Sequence, residues 1–393
     1  MLAARSTAPA IRMIVIAHLR AWMGMLQQTG HRVGTAPPMA PSLFSLSLLL
    51  LVFVVSLLIA VGASAWFTRR LETISDLFDL SPGLLSLLGA LGANIPNYVA
   101  SFVAAASGQL VVGLGIIIGS NIYNIAIILG ISTFAAKAPR GITLTRKAAQ
   151  DVRVVAMYTL AIMLTSWLAV ALLSQSSGAT SPAPSRVLTT LLILTNLLSL
   201  GLFSMLAFHA LKGLPHRHPA TETPTALLDE ADPLPPGKRR MAAIRSVGEA
   251  VLALMLALGG VIVMVQAGQT FAADVHVPPV ILGLLLLAVA TSLPNTVVAL
   301  TLARTERASA CIEEVLSSNS INAALGMALP LLLWRSFQHD PLLVVLDAPL
   351  MVALTLVAHI SASRQRVSRL LGLLLVLVYI TWVVVHAASA AHK

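Results

Sequence analysis

The chain has 393 residues, 57% of them hydrophobic and only 10% charged, with a mean hydropathy of +0.89. Soluble domains carry roughly a quarter charged residues, so a soluble α/β enzyme is excluded. The net charge of +10 does not point to nucleic acid, because the 25 basic residues sit mostly in short connections between apolar runs, the distribution that orients membrane spans.

The first 42 residues hold Arg5, Arg12, Arg20 and Arg32, lack any acid, and close on Pro37, Pro38 and Pro41. Residues 11–27 fit an interfacial amphipathic helix. A transit-type segment or a true start at Met39 fits as well, and 1–42 is read as a dispensable N-terminal extension.

Ten membrane spans are expected, at 43–67, 80–104, 109–136, 153–174, 187–211, 247–267, 278–303, 309–335, 341–361 and 368–390. Each is about as long as the ~20 residues that cross a bilayer as helix. Between the fifth and sixth, residues 212–246 carry Pro215, Pro219, Pro224, Pro233, Pro235 and Pro236 and read as a hydrophilic linker. The linker separates a first five-helix repeat over 43–211 from a second over 247–393. Eighteen of the basic residues fall on the linker side and seven on the other, which predicts a cytoplasmic linker with both termini outside. The single Cys311 reads as a small apolar filler, with no partner for an intramolecular disulfide.

The most specific signal is an internal repeat. Gly92-Ala93-Asn94-Ile95-Pro96-Asn97 aligns with Ala290-Thr291-Ser292-Leu293-Pro294-Asn295 at an offset of 198. The same offset, without a gap, sets Gly119-Ser120-Asn121-Ile122-Tyr123-Asn124 on Ser317-Ser318-Asn319-Ser320-Ile321-Asn322. The two copies fall in spans two and seven, an odd number of crossings apart, so the second must enter the membrane the other way up. That predicts an inverted repeat with its site near the midplane. Pro96 and Pro294 are expected to break the helix and free carbonyls near 92–93 and 290–291, and such backbone is tolerated at membrane depth only in a cavity or inside protein. Any single Asn or Ser here could simply join helices. Two polar blocks in register are much harder to explain that way.

The two blocks resemble the α-repeats of the cation/Ca²⁺ exchanger superfamily, to which the sodium/calcium exchangers belong, typically Gly-Thr-Ser-Leu-Pro-Glu followed about 25 residues on by Gly-Ser-Asn-Ile-Phe-Asn. Here Pro96 to Asn121 and Pro294 to Asn319 are each 25 residues. Asp347-Ala348-Pro349, Arg369, Gly372 and Tyr379 also sit where members carry similar residues. The resemblance implies an all-α integral membrane protein of ten transmembrane helices in two inverted five-helix repeats, exchanging cations by alternating access, with spans one and six sliding as gates. It implies ion-binding roles for Asn97, Asn295, Asn124, Asn322, Ser120, Ser318, Thr291 and Ser292, with Pro96 and Pro294 as helix breaks. Where the family carries an acidic Ca²⁺ ligand after each Pro, this chain has Asn97 and Asn295.

Ca²⁺ prefers six to eight oxygens with carboxylates among them, whereas neutral oxygens can hold a monovalent ion. Glu249, Glu313, Glu314 and Asp347 are the acids at or near membrane depth. Glu249 is expected to open span six as a first-turn acid, and Asp347 to pair within its bundle. Glu314, Ser318 and Asn322 share a helix face, and Glu314 is expected in a vestibule, either attracting cations or complementing the helix dipole. His209 and His359 near span ends are expected to be packed or interfacial.

The expected function is therefore a cation antiporter for Na⁺, Ca²⁺ or another cation, without a cofactor, whose partners are the lipid bilayer and inorganic cations and not nucleic acid. A degenerate, non-transporting relative with a structural or sensing role is the alternative, and a channel is a third reading. No nucleotide-binding, nucleophile-elbow or His-cluster motif supports an enzyme. The Arg-over-Lys and Ala/Leu bias fits a high-GC bacterial gene, hence the bacterial plasma membrane. Oligomeric state is not legible.

Overall fold

The computed structural model describes residues 43–78, 82–177, 186–212, 236–304, 308–334 and 340–391. The expected N-terminal extension, with its amphipathic helix, and most of the expected linker lie outside the described residues. The described residues are almost entirely helical: unbroken apolar runs in lipid must satisfy their backbone internally. Nine helices among them are long and apolar enough to cross a membrane.

In chain order these are α1 (Leu43–Phe78), the shorter α2 (Pro82–Ala93) and α3 (Ile95–Ala106), α4 (Leu110–Ala135), α5 (Arg146–Ser177), α6 (Arg186–Lys212), α7 (Pro236–Asp274), α8 (Pro279–Arg304), α9 (Ala308–Ile321, continuing through Asn322–Ala328 and Leu329–Leu333), α10 (Leu343–Ser363) and α11 (Arg369–Ala391). The span expected over 80–104 is thus two helices, broken at Asn94 (φ −94°, ψ 2°). Pro96 has no N–H to return to Gly92, and it sits in the first turn of α3, where none is needed. Pro294, its counterpart, lies inside continuous helix α8. The sixth span begins earlier than expected, because α7 already runs from Pro236.

Helix α4 is the centre of the molecule: 94% of its most apolar window is buried, against 17% for α1 and 22% for α11, which face lipid with residues such as Leu51, Leu58, Leu370 and Val384. It reaches that position through small residues. A Cβ at Gly119 would stand 2.2 Å from the carbonyl oxygen of Leu284 on α8, and one at Gly283 would stand 2.5 Å from that of Val112 on α4. Glycine lets the two backbones touch, as membrane helices do where polar segments must meet.

Helices α1 and α7 run antiparallel along their length. Phe53 packs on Gly268, a Cβ at Gly260 would be 2.9 Å from the nitrogen of Ala60, and Arg70 pairs with Glu249 at 2.6 Å. Glu249 also accepts from Arg245 at 2.7 Å. It is therefore not a first-turn acid, as expected from sequence, but the centre of an ion triad tying α7 to α1.

Two short strands, β1 (Gly141–Thr143) and β2 (Arg366–Ser368), pair antiparallel with Gly141 opposite Ser368. Gly141 is required there: its φ is +103°, and a Cβ would stand 2.3 Å from the carbonyl of Val367. The pairing brings the basic connections after α4 and after α10 to one end of the bundle.

Candidate functional site

The two polar blocks meet in the middle of the bundle. Asn94, Asn97, Ser120, Asn121 and Asn124 come from the α2–α3 break and α4; Thr291, Ser292, Asn295, Ser318, Asn319 and Asn322 come from α8 and α9. Ten of these eleven are 0% exposed and Asn295 is 2% exposed, so every polar atom among them needs a partner or carries a cost. The break in α2–α3, the interior Pro of α8 and the close α4–α8 contact bring them together.

Asn94 is the hub of one network. Its Oδ1 accepts from Asn295 Nδ2 at 2.8 Å and from Asn97 Nδ2 at 3.4 Å. Its own Nδ2 donates to the Ala90 carbonyl at 2.8 Å and to Ser318 Oγ at 3.0 Å. Ser318 in turn donates to Glu314 Oε1 at 3.2 Å. Ser120 Oγ lies 3.4 Å from Asn97 Oδ1 and 3.3 Å from the Ala288 carbonyl. The carbonyls engaged ahead of the two prolines are thus those of Ala90, at the break, and Ala288, in continuous α8, a few residues before the 92–93 and 290–291 expected from sequence.

A second network has a symmetry visible in its numbers. Asn124 Nδ2 donates to Asn319 Oδ1 at 2.9 Å, and Asn322 Nδ2 donates to Asn121 Oδ1 at 3.2 Å. Each bond is the other moved by 198 residues with donor and acceptor halves exchanged. Asn319 Nδ2 then reaches the Asn121 carbonyl at 3.1 Å, while Asn121 Nδ2 faces the sulfurs of Met351 at 3.4 Å and Met163 at 3.6 Å. Asn124 and Asn322 each open a π-helical turn, Asn124–Leu129 and Asn322–Ala328, and such turns recur at functional sites.

The chemistry of the site lies in what these bonds leave over. The amide nitrogens of Asn97, Asn124, Asn295 and Asn322 donate inside the protein, while the oxygens Asn124 Oδ1, Asn295 Oδ1, Asn322 Oδ1 and Ser292 Oγ are buried with no hydrogen-bond donor. Thr291 spends its hydroxyl on the Leu287 carbonyl at 2.7 Å. Bare acceptors in the interior of a membrane bundle are costly when dry and suit a cation.

The chain matches the sodium/calcium exchanger protein family over residues 48–211 and 241–387, well over half its length. It belongs to that family. Among curated relatives it is similar to "Putative antiporter CaxA" of Alkalimonas amylolytica, 33% identical over 114 residues, which are 29% of this chain and 35% of that one. The chain thus matches about a third of that relative's length. Among solved structures it is similar to the sodium-calcium exchanger NCX_Mj soaked with 2.5 mM Na⁺ and 10 mM Sr²⁺, at TM-score 0.55 and 19% identity over 86% of this chain and 98% of that one. The same exchanger soaked with zero Na⁺ and Ca²⁺ gives TM-score 0.53 at the same identity and coverage. At this identity the likeness is one of fold alone, a helical bundle; that the chain is a transporter-family protein rather than an enzyme rests on the family match.

Within this exchanger-family bundle, every residue predicted for the site lies in the buried centre, and no carboxylate joins the amides directly. Glu314 is half-buried and one hydroxyl away, through Ser318. Among the described residues no three His, Cys, Asp or Glu side chains converge as a metal cluster. His209 lies against Tyr158, ring centroids 6.5 Å apart, and His359 is not near the networks in any hydrogen bond. Sequence reasoning missed Asn94, Asn121 and Asn319 as working members. Asn94 carried a signal: among the block positions that are polar in both copies, it alone differs from its partner, Ser292. Also missed was His386, which with Trp382 is the partner of Asp347.

Proposed function

We propose that this chain is a secondary-active cation antiporter of the sodium/calcium exchanger type, working by alternating access around a midplane site of neutral oxygens. The observation that carries the reading is the set of unpartnered buried oxygens on Asn124, Asn295, Asn322 and Ser292, whose neighbouring amide nitrogens are all tied back into the protein. Asn97, Ser120, Ser318 and Thr291 complete the site. Family membership supports cation antiport. The lack of any carboxylate among the amides favours a monovalent ion such as Na⁺ over tightly held Ca²⁺.

The halves are read as inverted five-helix repeats over 43–211 and 247–393, joined by the 212–246 linker, with the broken α2–α3 counted as one of ten spans. Two features support this: the exchanged hydrogen bonds of Asn124 and Asn322, and the constant 198-residue offset of the two polar blocks. The basic connections joined by β1–β2, together with Arg70 and Arg245, support one positively charged end, read as the cytoplasmic face of a bacterial plasma membrane. Helices α1 and α7 slide together as the gate. Residues 1–42 remain a dispensable extension. A degenerate, non-transporting relative is the weaker reading, since decay would seldom leave the same amide at both symmetric positions.

Flux of ²²Na⁺ and ⁴⁵Ca²⁺ into proteoliposomes holding the purified protein tests this. Na⁺ movement with little Ca²⁺ movement is expected. Na⁺-driven Ca²⁺ uptake would sink the monovalent assignment, and no flux of any alkali or alkaline-earth cation would sink transport.

A further inference from the structure

The amide site leaves one electrostatic question open: what balances a cation that enters a membrane interior lined by neutral groups. Among the described residues only one acid is fully buried, Asp347 at 0% exposed, and it lies outside the amide networks. Its Oδ1 accepts from Trp382 Nε1 at 2.7 Å and stands 2.8 Å from Nε2 of His386, itself 1% exposed. Asp347 Oδ2 and His386 Nδ1 have no partner at all. An ionisable pair inside a membrane is costly to keep and marks function by default.

We propose that Asp347 and His386 form a proton-binding site inside the membrane, and that its proton is exchanged against the cation held by the amide network. This rests on reading that network as a cation site. Carrying one proton, the pair is neutral overall, the state a low-dielectric interior tolerates. Without it the pair bears one negative charge, which is the countercharge the amide site lacks. A monovalent cation entering as the proton leaves to the aqueous phase keeps the net charge of the interior constant, one for one.

The fold places the two sites within electrostatic reach. Asp347 lies one helical turn before Met351, whose sulfur receives Asn121 Nδ2 at 3.4 Å. On the other side, rings run from His386 through Trp382 and Tyr379 to Tyr123, at centroid spacings of 5.2, 5.4 and 5.8 Å. Tyr123 immediately precedes the site residue Asn124. Inside the bundle a charge is screened far less than in water.

Little else that titrates faces the pair. Helix α11 offers His386 and Tyr379, α4 offers Tyr123, and α5, which meets α10 where Trp167 Nε1 donates to the Val344 carbonyl at 3.3 Å, offers no ionisable side chain at that level. The charged residues of α5 (Arg146, Lys147, Asp151 and Arg153) are 14 or more positions before Trp167, and Arg366 in β2 and Arg369 at the start of α11 lie at the other end of that helix from His386.

Full-length protein in proteoliposomes, with an internal pH dye and an imposed ²²Na⁺ gradient, reads both ions together. Inward Na⁺ should alkalinise the lumen, and apparent Na⁺ affinity should fall roughly tenfold per pH unit once protons compete. Asp347→Asn and His386→Gln should lose the dye signal, whereas Asp151→Asn, at an exposed position near the start of α5, should keep it. Trp382→Phe, which removes the hydrogen bond to the carboxylate but keeps the ring, should shift the pH profile of flux upward without abolishing flux. Na⁺ flux with a silent dye, or a dye signal that survives Asp347→Asn, overturns the proton site and leaves cation transport standing. If no cation moves, the transport reading fails, and infrared difference titration decides the pair alone. A carboxyl or imidazole band that disappears in both Asp347→Asn and His386→Gln is expected; its absence from the unmodified protein refutes the assignment.

Discussion

The side-chain amide of Asn295 donates to Oδ1 of Asn94 across 2.8 Å, linking residues 201 positions apart. With Asn97 on the same oxygen and with Ala90 and Ser318 on its nitrogen, Asn94 has filled its hydrogen-bonding capacity. It cannot also bind an ion; it turns Asn295 so that the other side of that amide, its bare oxygen, is available. Asn94 is a positioning residue.

Replacing it tests that role. Asn94→Ser strips the acceptor from two buried amides, a loss of about 1–3 kcal/mol, and since ~1.4 kcal/mol is tenfold, Na⁺ affinity should drop by roughly tenfold or more. Asn94→Asp keeps the acceptor and should bind better than Asn94→Ser while losing the Ala90 and Ser318 bonds. Thermal shift of detergent-solubilised protein against Na⁺ concentration measures both; equal affinity in Asn94→Ser and the unmodified chain would remove the hub.

Charge at the paired amides should reset the choice of ion. Asn97→Asp/Asn295→Asp places two carboxylates where the chain now has two amides, adding the anionic oxygens that Ca²⁺ prefers. Ca²⁺ binding, absent or weak before, should appear in isothermal titration and in ⁴⁵Ca²⁺ uptake. A double mutant that folds, transports Na⁺ and still ignores Ca²⁺ would show that selectivity is set elsewhere.

The antiparallel pairing of α1 with α7, fixed by the Arg70–Glu249 contact at 2.6 Å, predicts that the two move as one body. Arg70→Cys/Glu249→Cys joined by a short bifunctional thiol linker should still transport. Thr68 of α1 instead touches the static core: a Cβ at Gly92 of α2 would lie 3.0 Å from its Oγ1. Disulfide closure of Thr68→Cys/Gly92→Cys should stop flux, restored by reductant. Transport unaffected by that bond would rule out sliding of α1 over α2.

Glycines on the described helices should differ sharply in what they tolerate. Gly119→Ala drives a methyl to 2.2 Å from the Leu284 carbonyl and, with little room for either backbone to move, should cost at least the ~1–3 kcal/mol of core overpacking. Gly201→Ala on lipid-facing α6 meets nothing within 4 Å and should stabilise its helix by ~0.5–1 kcal/mol. Melting temperatures in detergent should therefore move in opposite directions. A neutral Gly119→Ala would mean that α4 and α8 are not in backbone contact.

Much of the molecule was legible before its structure. Apolar runs, basic connections and the 198-residue register gave the helices, the family and the amides of Asn97, Asn124, Asn295 and Asn322, because transfer into a membrane is read from local composition and a repeat is visible by alignment. Less legible were the helix limits around Asn94, where one proline ends a helix and its counterpart, Pro294, does not. The matched motifs diverge there because the side chain of Asn94 fills four hydrogen bonds at a break, while the hydroxyl of Ser292 makes none. Glu249 was misjudged for a related reason: its partner, Arg70, is on another helix.

The sequence by itself determined that the chain crosses a membrane, that its two halves share a pattern, and that the centre of each half is neutral and rich in oxygen. Each of those follows from residue chemistry summed along the chain. Only the tertiary structure decided which oxygens are left bare, that Asn94 holds Asn97 and Asn295 together, and that Asp347 meets His386, 39 positions away. Hydrogen-bond partners inside a bundle are chosen by which helix faces touch. That choice rests on glycines such as Gly119 and Gly283, whose importance shows only when the backbones they admit are seen side by side.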